Sequence, residues 1–305
     1  MSELVLPAVR PLFAGISRAA ATPWLLSAPA LVLMALMLIG PAIAVTLLAF
    51  TNYQLGASDL NWIGFDNFRE MAHERTFWRS LGNTLLYAAV VVPGSVLLGL
   101  GAALLVESGG SLRSFYRAVF FLPVMATLIA MAIAWEFMLH PNFGLVNLAL
   151  KALGFAGANW LRTDTLALGV IAVIGIWQQF GFNMVLFIAG LVSIPRHLYE
   201  AAAMDGASGP WARFRLVTWP MLGPVTLFVV LISTIRSFQV FDTVAVLTKG
   251  GPNKATEVLL YTMYAEGFEF FRSGYAAAIT VVFLVLVLIV TLIKRRLMEK
   301  QVHYV

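Results

Sequence analysis

Residues 193–220 read Ser-Ile-Pro-Arg-His-Leu-Tyr-Glu-Ala-Ala-Ala-Met-Asp-Gly-Ala-Ser-Gly-Pro-Trp-Ala-Arg-Phe-Arg-Leu-Val-Thr-Trp-Pro, and their types suit contact with a partner rather than bond chemistry. Ser193 can cap a helix that holds Pro195 in its first turn, where a missing amide costs little. Glu200 to Met204 are mostly strong helix formers. Gly206 follows, and glycine is the usual residue for a left-handed helix stop. Ser208 can cap a second short helix with Pro210 in its first turn, and Pro220 ends that helix or opens the next segment. The expected product is a helix, a glycine turn and a second helix, ordered enough to be a docking surface. For Glu200 taken alone, a solvated loop carboxylate is the competing reading; Arg196, Arg213 and Arg215 read as topological charges.

A second set of polar residues stands inside apolar runs: Trp177, Gln178, Gln179 and Asn183 in one, Ser233, Arg236, Ser237, Gln239 and Asp242 in another. Polar groups in membrane spans are costly and tend to face a cavity. An aromatic face with amides and hydroxyls suits a hydroxylated solute, whose groups need partners once desolvated. Ser233 and Ser237 are four apart and share a helix face. The same groups can instead bond across helices and hold a bundle together, and both readings stand. Arg236 can attract a phosphate or uronate, pair with Asp242 or Glu136, or extend its charge toward the interface.

Other chemistries lack their residues. The absence of cysteine excludes a disulfide framework, thiolate metal sites and a Cys nucleophile. His73, His140, His197 and His303 are scattered without zinc-site spacing, so no metal site and no catalytic residues are expected. No Gly-x-x-x-x-Gly-Lys-Ser/Thr phosphate loop is present; if ATP is used, a partner must bind it.

The elements that position these residues follow from composition. Sixty per cent of the 305 residues are hydrophobic and 11% charged, where a soluble domain carries about a quarter charged. Lipid is the better solvent. Six stretches, near 24–50, 80–106, 118–139, 165–192, 221–246 and 275–293, are long enough to span a bilayer at roughly 20 residues each. The third, fifth and sixth are the cleanest, and the fourth is weakened by its amides. The expected fold is all-α, one membrane domain over 1–305 with six transmembrane helices, with no β-barrel alternation. Arg10 and Arg18 precede an apolar run too long for a signal peptide, so the run reads as the first span. Pro41, Pro93, Pro123 and Pro224 read as kinks inside spans. With six spans both ends share a side, and that side holds more Lys and Arg on less loop, including Lys294-Arg295-Arg296. The positive-inside rule then makes both termini cytoplasmic. The net charge of +5 reads as topology, not as a nucleic-acid footprint.

Glu200-Ala201-Ala202, Gly206 four residues beyond Ala202, and Pro220, placed between the fourth and fifth spans, resemble the EAA loop of binding-protein-dependent ABC importer permeases. The spacing from Gly206 to Pro220 is one residue longer than the family pattern, and Trp219 stands where leucine is common. The resemblance extends to Trp62-Ile63-Gly64-Phe65-Asp66-Asn67-Phe68, Asn83-Thr84, Phe241-Asp242, Leu247-Thr248-Lys249-Gly250-Gly251-Pro252, Ala255-Thr256-Glu257 and Gly274-Tyr275-Ala276. These are similar to sugar permeases of the maltose and glycerol-3-phosphate type.

The resemblance implies a pore-forming subunit of a bacterial inner-membrane importer for a sugar or sugar-like solute. It implies a second homologous permease, two ATP-binding subunits that carry ATP and Mg, and an extracytoplasmic solute-binding protein. It further implies that the ATPase couples through Glu200, Ala201, Ala202, Asp205 and Gly206, with Glu200 meeting a basic residue and the alanines allowing close approach. Trp177, Gln178, Gln179, Ser233, Ser237 and Gln239 would line the solute pathway, with Arg236 beside them. The alternative is a stand-alone secondary transporter, which needs a coupling carboxylate deep in the bundle; Asp242 and Glu136 are the candidates. An intramembrane enzyme would need a converging nucleophile and base that the spans do not offer.

Overall fold

The structure, a computed structural model, describes residues 26–109, 111–207 and 209–299. Among them all regular structure is helical, and the extended contact is one isolated antiparallel bridge between Thr51 and Trp62. In chain order the helices are α1 (Leu26–Leu48), α2 (Asp66–His73), α3 (Arg75–Ser108), α4 (Arg113–Met125), α5 (Leu128–Met138), α6 (Leu145–Ala152) and α7 (Asp164–Ser193). They continue with α8 (Arg196–Met204), α9 over 210–221, α10 (Gly223–Phe238), α11 (Asp242–Leu247), α12 (Leu259–Tyr264) and α13 (Ser273–Glu299).

Five of these units are long and apolar enough to cross a bilayer: α1, α3, α7, α10 together with α11, and α13. The third expected span is a broken pair. Helices α4 and α5 meet at 102° across Ala126 and Thr127, both extended, three residues beyond the buried Pro123. The fifth is broken too, at Gln239–Phe241. Pro224 does not kink α10; it lies in the first turn, where its missing donor has no helical partner to lose. Ahead of Pro41 the ladder of α1 widens into a π turn over Ala35–Ile39, a common neighbour of such bends.

The fifth span, expected to be among the cleanest, is the least apolar of the five. The fourth, expected to be the weakest, is slightly more apolar and forms an unbroken 30-residue helix at the centre. Half of its most apolar window is buried, the largest share of any span, against none of α1. Its polar residues therefore face protein, not lipid. In lipid no hydrophobic force drives helices together, so close packing and interhelical bonds must do so. Glycine provides the closeness. A Cβ on Gly99 of α3 would lie 2.7 Å from the Cβ of Asn183 on α7, and one on Gly181 would run into the carbonyl of Phe120 on α4.

Around the α3–α7 pair, Leu100, Ala103, Met184, Phe187, Leu222 and Val229 form one half of the core. Tyr87, Val91, Ile171, Val244 and Val258 form the other. Helix α13 closes on Phe77, Phe238 and Leu259 through Ile279 and Phe283.

The long connections, 49–74, 139–163 and 248–272, share one end of the bundle. Two knots there explain the motifs. Phe50 stacks on Trp62 with centroids 5.4 Å apart, and Asn67 donates through Nδ2 to the carbonyls of Ala49 and Thr51, each at 2.9 Å. In the second knot Asn83 donates to the Glu257 carbonyl at 2.8 Å and Thr84 Oγ1 accepts the Leu259 amide at 2.9 Å. Thr256 Oγ1 donates to the Gly251 carbonyl at 2.6 Å. Lys249, Asn253 and Lys254 adopt left-handed φ of 48°, 45° and 59°, strain that such cross-links must hold.

Candidate docking loop and solute cleft

At the opposite end, α8 stops as its sequence dictates. Gly206 takes φ +89°; its amide donates to the Ala203 carbonyl at 3.2 Å and that of Ala207 to the Ala202 carbonyl at 2.8 Å. This pair of bonds is the Schellman stop, which satisfies carbonyls a helix end would otherwise orphan. The start differs from expectation. Ser193 ends α7, and its hydroxyl donates to the Gly190 carbonyl at 2.7 Å; Pro195 occupies the cap position of α8 without a side-chain bond. Ser208 lies outside the described residues. Helix α9 begins at Pro210 after Gly209, passes through a π turn over Phe214–Thr218, and carries Pro220 in its last piece, Trp219–Met221.

The two faces of α8 have different partners. Leu198, Tyr199 and Ala202 pack on the core, and the Tyr199 hydroxyl bonds Thr218 Oγ1 at 3.0 Å, tying α8 to α9. Glu200, Ala201 and Asp205 are exposed. So are Met204, Trp211 and Trp219, with Met204 89% accessible, and Trp211 stacks on Phe214 at 5.6 Å. Large apolar side chains and the Glu200 and Asp205 carboxylates are thus exposed on the same ordered helix–turn–helix segment. Ala202 serves packing within the chain. Met204 and Trp211 were missed from sequence. Helical spacing carries the signal: Glu200 and Met204 are four apart, on the side away from Leu198 and Ala202.

The solute-pathway candidates divide. A cleft of about 390 Å³ is lined by Gln178 and Gln179 of α7, Arg236 of α10, and Gln239, together with Tyr87, Asp242 and Thr243. Both broken spans open onto it, since Val124 and Ala126 at one break and Val240 and Phe241 at the other also line it. Interrupted helices inside a membrane are tolerated where they line a cavity. Arg236 lies over the Phe182 ring, 4.1 Å from its centroid, and among the described residues no carboxylate forms an ion pair with it.

The others point elsewhere. Trp177 packs edge-to-face on Trp135 at 5.4 Å. Ser233 donates to Asn183 Oδ1 at 3.1 Å, and Asn183 donates onward to Ser95 Oγ at 3.2 Å, so three helices share one buried chain of bonds. Ser237 is fully buried with an unpartnered hydroxyl. Tyr87 and Thr243 were not anticipated; hydropathy gives a lone tyrosine or threonine no weight.

A larger cavity of about 560 Å³ lies beyond α11, lined among others by Glu136, His140, Arg162, Thr248 and Lys249. Helix α11 separates the two, with Asp242 and Thr243 on the inner cleft and Val246 and Leu247 on the outer cavity. Outside the spans, burial pushes the carboxyl of Glu257 up, with Lys254 partly opposing, and burial likewise raises Glu266 against the pull of Arg272.

Comparison with known proteins agrees with this arrangement. Residues 95–302 match the family described as binding-protein-dependent transport system inner membrane component. A probable ABC transporter permease protein of Pyrococcus horikoshii is 33% identical, over 87% of this chain and 91% of the relative. The sulfoquinovosyl glycerol transport system permease protein of Agrobacterium fabrum is also 33% identical, over 90% and 89%. The sn-glycerol-3-phosphate transport system permease protein of the same organism is 31% identical, over 92% and 96%. A solved bacterial ABC transporter involved in importing the acidic polysaccharide alginate shares the fold with a TM-score of 0.82 at 23% identity, covering 93% of this chain and 98% of that one. With a helical bundle, a capped helix–glycine–helix loop and a match over most of its length, the chain belongs to the binding-protein-dependent transport system inner membrane component family.

Proposed function

We propose that the chain is one of two permease subunits of an ATP-driven importer, passing a sugar or sugar-like solute (oligosaccharide, polyol or glycerol phosphate) through a bacterial inner membrane. The chain is one permease domain with six spans, the α4–α5 pair counting as one, and both termini lie in the cytoplasm. The 193–220 loop is the lever. Two ATP-binding subunits, which hold ATP and Mg, close beneath it, with Glu200, Ala201, Asp205, Gly206 and Met204 at the contact. An extracytoplasmic binding protein delivers the solute to the long-loop end, and a second permease closes the open side of the Gln178–Arg236 cleft. The relatives' names support the solute class, since glycerol 3-phosphate, sulfoquinovosyl glycerol and alginate are all rich in oxygen.

The observation that carries this reading is the capped α8–Gly206–α9 knuckle, whose exposed Glu200 and Met204 contrast with a face anchored to the core. The chain has no cysteine, so single cysteines report sidedness. Ser108→Cys, exposed on the same end but outside the proposed contact, is expected to react with an impermeant thiol reagent only in inverted vesicles, and Ser58→Cys only in intact cells. Glu200→Arg is expected to lose the co-purifying ATPase and ATP-fuelled uptake together. Reaction of Ser108→Cys from outside, or unimpaired uptake by Glu200→Arg, defeats the proposal.

A further inference from the structure

Arg236 sits in the last turn of α10 with its guanidinium over the Phe182 ring and, among the described residues, no carboxylate paired to it. The guanidinium stacks on the ring and stays exposed to whatever fills the space beside it. Its side chain lines the inner cleft, so the charge is presented to whatever enters. Gln178 and Gln239 of the same cleft carry amides that can donate to or accept from hydroxyl groups. The cleft thus offers two different contacts to one solute, a cation at Arg236 for an anionic group and amides for hydroxyls.

We infer that the solute is a hydroxylated anion, such as a sugar acid, sugar phosphate or sugar sulfonate, and that Arg236 is the residue that selects it; this rests on the transport reading above. A guanidinium matches carboxylate, phosphate and sulfonate oxygens in a two-pronged geometry, and a ring beneath it restricts its rotamers. Asp242 shares the cleft and sets a limit on net attraction, so it is the control. If Arg236 served only to offset Asp242, neutralising either would impair every solute alike.

The test uses the assembled transporter with its binding protein in proteoliposomes, measuring ATP-driven uptake of glycerol 3-phosphate against glycerol and of a galacturonate disaccharide against its neutral galactose counterpart. Wild type is expected to prefer the charged member of at least one pair. Arg236→Gln is expected to reduce uptake of that member about ten- to a hundredfold, the worth of a charge-assisted bond, with little change for the neutral one. Arg236→Lys recovers part of the loss, and Asp242→Asn, which removes the opposing charge, strengthens the preference. Gln239→Met lowers both members together, since an amide contact to hydroxyl groups is common to them. A neutral preference in wild type, or a Gln variant that lowers both members equally, overturns the inference while leaving ATP-driven transport in place. Uptake of no probe at all overturns the transport reading and this inference with it.

Discussion

Replacing Gly206 by alanine isolates the docking loop from the rest of the molecule. The residue holds φ +89°, and a Cβ added there would meet nothing within 4 Å. No clash contributes, so the whole penalty is backbone conformation, about 1–2 kcal/mol for an L-residue in the left-handed region. If the chain relaxes to avoid it, the amides of Gly206 and Ala207 lose the Ala203 and Ala202 carbonyls, a loss of similar size at about 0.5–1.5 kcal/mol per bond. Either way the α8 stop opens roughly 5–30 times more often. Hydrogen exchange reads this directly. The amides of Gly206 and Ala207 should exchange faster by that factor in Gly206→Ala, and by less in Gly206→Asn, because asparagine tolerates the region better. Those of α3 and α7 should not change. Solute imported per ATP hydrolysed should fall in the same order, because a frayed lever absorbs motion. Unchanged exchange at 206–207, or equal acceleration in α7, would refute the claim that this glycine acts through local backbone geometry.

Asn183→Leu removes the acceptor of Ser233 but leaves Ser95 bonded to the Val92 carbonyl, so stability in micelles should drop by about 1 kcal/mol. Adding Ser233→Ala should then cost almost nothing, a coupling of about 0.6 kcal/mol by double-mutant cycle; full additivity of the two would deny the bond. The Glu257 carboxyl, raised by burial, keeps its proton in the folded chain at pH values where the unfolded chain, with an ordinary value of about 4.3, has released it. Its contribution to stability is therefore present below that ordinary value and is lost as pH rises through the raised one. Melting curves across that window should show Glu257→Gln gaining on wild type as pH increases, and a constant difference would contradict the shift.

Much of this architecture was legible because its determinants are local. Proline and glycine spacing placed α8, Gly206 and α9, and apolar length placed the spans. The break between α4 and α5 was not legible, since a hydropathy window averages over Ala126 and Thr127 and registers no change of direction. For the same reason the fourth span looked weak, when its amides mark it as central. The solute cleft was half legible. Gln178, Gln179, Arg236 and Gln239 converge there, but Ser233 and Ser237 belong to α10 surfaces turned into the bundle, and sequence spacing gives a shared face without saying what that face meets. The Asn83–Glu257 and Thr84–Leu259 contacts join residues more than 170 apart, which only tertiary structure brings together.

The interruption at Gln239–Phe241 divides labour along the fifth span. Leu222, with no exposed surface, sits between α9 and α10 and packs them into one core cluster. The helical ladder is interrupted between α10 and α11, and α11 is tied on its other side to the cross-linked 248–259 segment. In the importer proposed above, the fifth span would therefore work as an elbow: a push at the knuckle would carry α10 and Arg236, while α11 would keep its register with the long-loop end.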